Sequence, residues 1–273
     1  MVTENKISWE AAVVRFRDNP ANSDLARACF YDDPLSTAAE RYRASSEWHS
    51  LRGLLPACTG AALDIGSGRG ISAYAFARDG WQVTALEPDP SVIVGAGAIR
   101  ALAQTAGLEI AVVQEWGEQL PFADATFDAV HCRAVLHHAR DLKALGREIA
   151  RVLKPGGTFV GAREHVVSDH SDIPVFQAAH PLHHLYGGEY AYTLEEYQTA
   201  LTGAGLELTQ VLNPFASDVN LFPDSRAEVR RRIASKLGLP MAASLVPGWL
   251  LNMRGRRDQT PGRLYTFVAR KPS

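Results

Sequence analysis

The chain has 273 residues, 46% of them hydrophobic, and 28 Lys and Arg against 30 Asp and Glu give a net charge of −2. That length and hydrophobic content suffice for one large buried core and exclude a disordered chain. Near-neutral charge argues against a nucleic-acid partner, and no apolar run approaches the length of a membrane span.

The N-terminal segment, residues 1–58, reads as a helical cap. Apolar residues recur at helical spacing over Ile7 to Arg17, and Ser36 to Leu55 forms a second helix, capped by Asp33 before Pro34 or by Ser36. The first thirty residues lack a basic start followed by an apolar run, and the three cysteines, Cys29, Cys58 and Cys132, have no metal-ligand spacing. A reduced, cytoplasmic protein is therefore expected.

From residue 59 onward strand and helix alternate, which predicts parallel strands joined by crossovers. The most informative stretch is ALDIGSGRG, Ala62 to Gly70. It reads as a buried strand running into a turn with glycines at 66, 68 and 70, followed by a helix over Ile71 to Asp79. A dinucleotide fingerprint would place its third glycine where Ile71 stands. Asp64, just before the first glycine, would repel a phosphate and attract a cation. The ligand inferred from these residues is a nucleoside carrying positive charge. A second strand ends in Glu87, placed to accept both ribose hydroxyls.

Further strands are expected near 109–113, 126–132, 157–163, 206–212 and 264–270, with a capping box at Thr193 and Glu196 opening a helix. The blocks GEQLPFADATFDAV (117–130) and CRAVLHHARDLKALGREIARVLKPGG (132–157) complete a recognisable series. With them the chain resembles the class I S-adenosylmethionine (SAM) dependent methyltransferases, of the subgroup that includes the ubiquinone and menaquinone biosynthesis enzymes. The resemblance covers residues 60–160 closely. It implies a Rossmann-like sheet of seven mostly parallel strands with helices on both faces, here carrying the N-terminal cap and lid insertions, with 59–273 as the SAM-binding domain. It also implies that Asp64, Gly66, Ser67 and Gly68 line the methionine and ribose of SAM, that Glu87 holds the ribose, and that Pro88 lies beside the adenine. Trp116 and Gly117 join this cofactor set. Trp116 departs from the family, which usually carries an acid there. Its indole packs on the adenine face, or Glu115 or the backbone takes over, or Trp116 is a core residue at a strand end.

Two segments exceed the minimal fold: 164–192, and 213–263 with a basic helix over Asp224 to Leu237. Both, together with the N-terminal helices around Tyr31 and Tyr42 folded over the same face, are expected to shape an acceptor pocket and its lid. The first holds His165, His170, His180, His183 and His184 with Glu164, Asp169 and Glu189. It reads as a solvated lid, as a substrate pocket with a histidine base, or as a metal site; without H-E-x-x-H or paired cysteines, no metal is expected. His165 and His183 are the candidate bases, and His137, His180, His184 and Tyr190 are candidate acceptor contacts. Arg133 and Arg163 follow neighbouring strands, Arg133 facing the sulfonium and Arg163 the acceptor. A guanidinium out of water needs an anion, so the acceptor is expected to be a small molecule with an anionic or strongly polar group; a salt bridge to a protein carboxylate such as Glu164 or Glu189, and exposure on the rim, are the alternatives. An RNA-directed methyltransferase and a catalytically silent SAM-binding protein are the alternatives. Oligomeric state is not legible.

Overall fold

The computed structural model describes residues 6–236, 238 and 240–273. Leu237, expected to end the basic helix, and residues 1–5 of the cap segment lie outside the described residues. The N-terminal helices are α1 (Trp9–Arg17), α2 (Ser23–Ala28), α3 (Leu35–Arg43) and α4 (Ser46–Arg52). The single helix expected over 36–55 is thus two. Ala44 ends the first, and the Ser45 hydroxyl caps the second by accepting from the Trp48 N–H. Neither Asp33 nor Ser36 caps α3; its N-cap is Pro34, without a side-chain bond.

The core then alternates as expected: β1 (Ala61–Ile65), α5 (Ile71–Arg78), β2 (Gln82–Leu86), α6 (Ala96–Ala106), β3 (Ile110–Val113), β4 (Phe127–Arg133), α7 (Leu142–Val152) and β5 (Leu153–Val167). The lid segment carries α8 (Ile173–Ala179), α9 (His183–Tyr186) and the two-residue β6 (Tyr192–Thr193). It is followed by α10 (Leu194–Gly203), opened by the expected Thr193–Glu196 capping box, and β7 (Glu207–Leu212). The second insertion holds α11 (Asp218–Leu221), α12 (Arg226–Lys236) and α13 (Gly248–Arg257), and β8 (Arg263–Arg270) closes the chain.

The sheet order is β3-β2-β1-β4-β5-β8-β7, with β6 attached to β5, so among the described residues it has eight strands, one more than expected. Only β8 runs antiparallel to its neighbours, β5 and β7. The extra strand exists because β5 is longer than its apolar run suggests. Between Gly161 and Glu164 the register against β8 slips by one residue, and Arg163 takes φ 60°. A bulge of this kind bends a strand and re-aims its side chains. Past it β5 continues to Val167, so Glu164 and His165 stand on the sheet rather than on the lid, and Val166 and Val167 pair with β6.

One face of the sheet buries Leu63, Val130, Phe159, Tyr197 and Phe267. The other buries Phe76, Ile99 and Val160 together with Phe30, Tyr42, Trp48 and Leu51 of the N-terminal helices. Phe30 and the second half of the cap, α3 and α4, are therefore part of the main core.

Candidate functional site

A cavity of about 460 Å³ opens beyond the carboxyl ends of β1, β2, β4 and β5, lined by the glycine turn on one side and the lid on the other. Parallel register sets its floor: Asp64 of β1 lies opposite His131 of β4. Asp64 Oδ1 is 2.7 Å from His131 Nδ1, and both residues are buried. The other carboxylate oxygen, Asp64 Oδ2, is buried and has no hydrogen-bond partner. A buried carboxylate oxygen without a donor is costly, and a ligand donor would satisfy it.

The turn itself is built for close approach. Gly66 has φ 64°, and a Cβ there would sit 2.6 Å from Val135 Cγ2. The Gly68 N–H donates to Glu87 Oε2 at 2.7 Å, and the Asp89 N–H donates to Glu87 Oε1 at 3.0 Å. Burial nevertheless pushes the Glu87 carboxyl upward. Arg69, which the sequence reading did not single out, is buried behind the turn. It donates to the carbonyls of Phe30, Asp32 and Ile93 and pairs with Asp33, tying the turn to the cap. Pro88 and Gly117 line the cavity, as does Trp116, which is 60% exposed with the Arg140 guanidinium 5.3 Å from its ring. Trp116 is thus no core residue.

The two strand-end arginines reach the cavity but already have partners. Arg133 donates to Glu47 of α4 through Nε at 2.6 Å and Nη2 at 3.0 Å. Arg163 donates to the carbonyls of Val219 and Phe222 and stands 3.7 Å from Glu47. Burial raises the fully buried Glu47 carboxyl, but the two guanidinium charges outweigh it and hold the group below the usual carboxylate range. The reason for expecting an anionic acceptor therefore falls away. The anion these arginines need is supplied by the cap, at a residue the sequence did not mark.

The far half of the cavity is a histidine cluster. Glu164, delivered inward by the bulge, accepts from the N–H groups of Val135 and His137 and lies 2.8 Å from His137 Nδ1. His137 Nε2 faces Glu189 Oε2 at 3.5 Å. Burial depresses the His137 imidazolium, but the contact with Glu164 and the negative charge of the nearby Glu189 outweigh it and raise its pKa to about 9. Glu189 is held well below the carboxylate range: burial opposes, and His137 and the charges of His138 and His180 prevail. His165 bonds the Gly262 carbonyl through Nδ1 at 2.8 Å, and burial, then the charge on His137, lower its pKa to about 3. The same two causes bring His138 to about 4. Bases that weak accept hydrogen bonds from a substrate, and they are poor proton acceptors at neutral pH.

Of the residues singled out in segment 164–192, His165, His180 and Glu189 line the cavity. His183, His184 and Tyr190 do not. Adjacent residues on a helix diverge by about 100°, and α9 turns both histidines aside. His184 Nε2 contacts the Ala178 carbonyl at 2.9 Å, and Tyr190 packs edge-on against Tyr192. The described residues of the second insertion also stay outside; beyond it only Leu264 of β8 touches the cavity. Instead, Val219 and Phe222 pack with the cap-side core, while Val229 and Leu251 form a cluster of their own. The true roof is the cap: Phe16 and Ala26 bury Leu182, and Trp9 packs edge-on against Tyr186 at 4.7 Å.

Residues 63–161 match the methyltransferase domain model. An uncharacterized methyltransferase of Mycobacterium sp. (strain JLS) is 36% identical over 142 residues, 50% of each chain. The ubiquinone biosynthesis O-methyltransferase of Rhizobium leguminosarum bv. trifolii (strain WSM2304) is 29% identical over 59% of this chain and 66% of that one. The chain spans about half the length of the curated relatives it matches. Phosphoethanolamine N-methyltransferase 2 of Haemonchus contortus, solved with S-adenosyl-L-methionine, superposes with a TM-score of 0.60 at 21% identity, over 98% of this chain and 61% of that one. The glycine turn, Glu87 and the histidine-bearing end of β4 all fall within the matched segment: residues 63–161 resemble a methyltransferase domain in sequence, and the chain shares its fold with solved methyltransferases.

Proposed function

We propose that this protein transfers a methyl group from SAM to a small-molecule acceptor. The observation that carries the reading is the orphaned Asp64 Oδ2 at the glycine turn, in a cavity that continues into a second, histidine-lined half. The residues fit the cofactor. Asp64 would accept from its ammonium group, Glu87 from the ribose hydroxyls, and the Trp116 indole would cover the adenine. Bound there, SAM supplies an electrophilic methyl. The protein's part is then to align the acceptor and exclude water. Val135 and the His137–Glu164 pair form a rigid wall, His165 lines the acceptor half, and the cap and lid close over both.

Calorimetry with SAM and with NAD tests the cofactor: SAM binding with no detectable NAD binding is expected, and the reverse order would overturn the reading. Methylated product from a metabolite panel tests transfer, and its persistent absence despite SAM binding would favour a silent SAM-binding protein. No described helix is long and apolar enough to cross a membrane. Cys29, Cys58 and Cys132 are free, which supports the cytoplasm as the compartment.

The roof should behave as a lid. It is held to the body by few buried side chains, Phe16, Ala26 and Leu182 among them, and such elements open first. Hydrogen exchange over residues 9–31 and 173–190 is expected to slow when S-adenosylhomocysteine and acceptor are bound. Equal exchange in the free and bound protein would show a fixed wall instead.

A further inference from the structure

In the acceptor half of the cavity, His137 Nε2, His165 Nε2 and a Glu189 carboxylate oxygen converge, and we propose that they bind one divalent transition-metal ion. The candidate ligand atoms of the three residues lie within 4.8 Å of one another. His137 Nε2 and Glu189 Oε2 are already 3.5 Å apart, and the rings of His137 and His165 are 4.7 Å apart, edge to face. Ligand bonds of about 2.0–2.2 Å need donor atoms roughly 3–4 Å apart, a spacing the His137–Glu189 pair already has and to which the third donor would have to close.

Each ligand is oriented from behind. His137 Nδ1 faces the Glu164 carboxylate, and His165 Nδ1 faces the Gly262 carbonyl, at 2.8 Å in both cases. Neither acceptor can donate a hydrogen, so both Nδ1 atoms carry a proton; the ion takes the Nε2 lone pairs, displacing the Nε2 proton of the His137 imidazolium as it binds. The carboxylate–histidine pairing is the usual support of a metal-bound imidazole. Glu189 is arranged likewise: Tyr186 donates to Oε1 at 2.6 Å, while Oε2 is buried without a hydrogen-bond partner. His180, whose Nδ1 lies 3.7 Å from Glu189 Oε1 and is also unpartnered, stands beside the cluster as a fourth donor.

Two imidazoles and one carboxylate suit Zn²⁺, Co²⁺, Mn²⁺ or Fe²⁺ over Mg²⁺ or Ca²⁺. With three protein ligands the ion keeps open positions toward the cavity. There it would hold the acceptor through an oxygen and lower that group's pKa, so that its proton passes to solvent before the methyl is transferred. The acceptor class that follows is a hydroxyl or enol compound able to bind metal through oxygen. This step rests on the methyltransferase reading, but ion binding does not.

The test is titration of the purified, chelator-treated full chain with CoCl₂, read by visible d–d absorption and calorimetry, with ZnCl₂ as competitor. One equivalent of Co²⁺ should bind, displaced by Zn²⁺. His165→Ala and Glu189→Gln should each weaken binding by at least about tenfold, with unchanged S-adenosylhomocysteine affinity showing that the variants are folded. Wild-type protein that binds no Co²⁺, or binds it no better than the two variants, would overturn the site. The cluster would then be a His137 imidazolium held between two carboxylates. S-adenosylhomocysteine affinity, measured on the same samples, separates that failure from failure of the cofactor assignment.

Discussion

Asp64→Asn is expected to weaken SAM binding by about 1.5–3 kcal/mol, roughly 10- to 150-fold, while leaving the fold intact. The carboxylate contributes two things. Oδ1 anchors His131 at 2.7 Å, and Oδ2 is the unpartnered oxygen at the glycine turn. Asparagine keeps an oxygen for the His131 Nδ1–H but loses the charge that would meet the ligand's ammonium group. Alanine is the poorer probe, because it would strand the fully buried His131 and mix a stability loss into the affinity. Calorimetry with SAM, paired with a thermal melt, checks the prediction. Unchanged affinity in a variant that melts like the wild type would remove Asp64 from the cofactor site.

Glu47→Gln should be the most destabilising single substitution at the cavity. It leaves the half-buried Arg133 and Arg163 beside each other without their shared counter-charge. Removing one partner of a buried ion pair costs about 3–5 kcal/mol, here a fall in Tm of roughly 6–20 °C. The double variant Glu47→Gln/Arg133→Met should recover part of the loss, since it removes the stranded charge as well. The pH dependence has a definite sign. The Glu47 carboxyl is lowered in the folded state from its ordinary 4.5. Its contribution is therefore complete above that value and disappears as pH falls through the lower folded one. Wild-type protein should lose stability through this window, and Glu47→Gln should lack that share of the loss. A variant as stable as wild type at pH 7 would show that solvent already screens the arginines.

The alternation of strand and helix, the glycine turn, Asp64 and Glu87, and the Thr193–Glu196 box were all legible in the sequence, because each depends on neighbours within a few residues. Spacing alone places Asp64 before the turn, and only Ile71 in the third-glycine position is needed to disfavour a dinucleotide. The polar partners of the cavity belong to another order of information. His131 meets Asp64 because two parallel strands share a register. Glu47 meets Arg133 because a cap helix folds over the end of β4. A one-residue bulge at Arg163 turns Glu164 inward, toward His137 and away from the lid where its position in the chain would put it. A buried charge must find its counter-charge somewhere, so the sequence by itself determined that Arg133 and Arg163 need an anion. Which anion answers is a matter of tertiary packing, and packing chose Glu47, a residue with no local pattern to mark it.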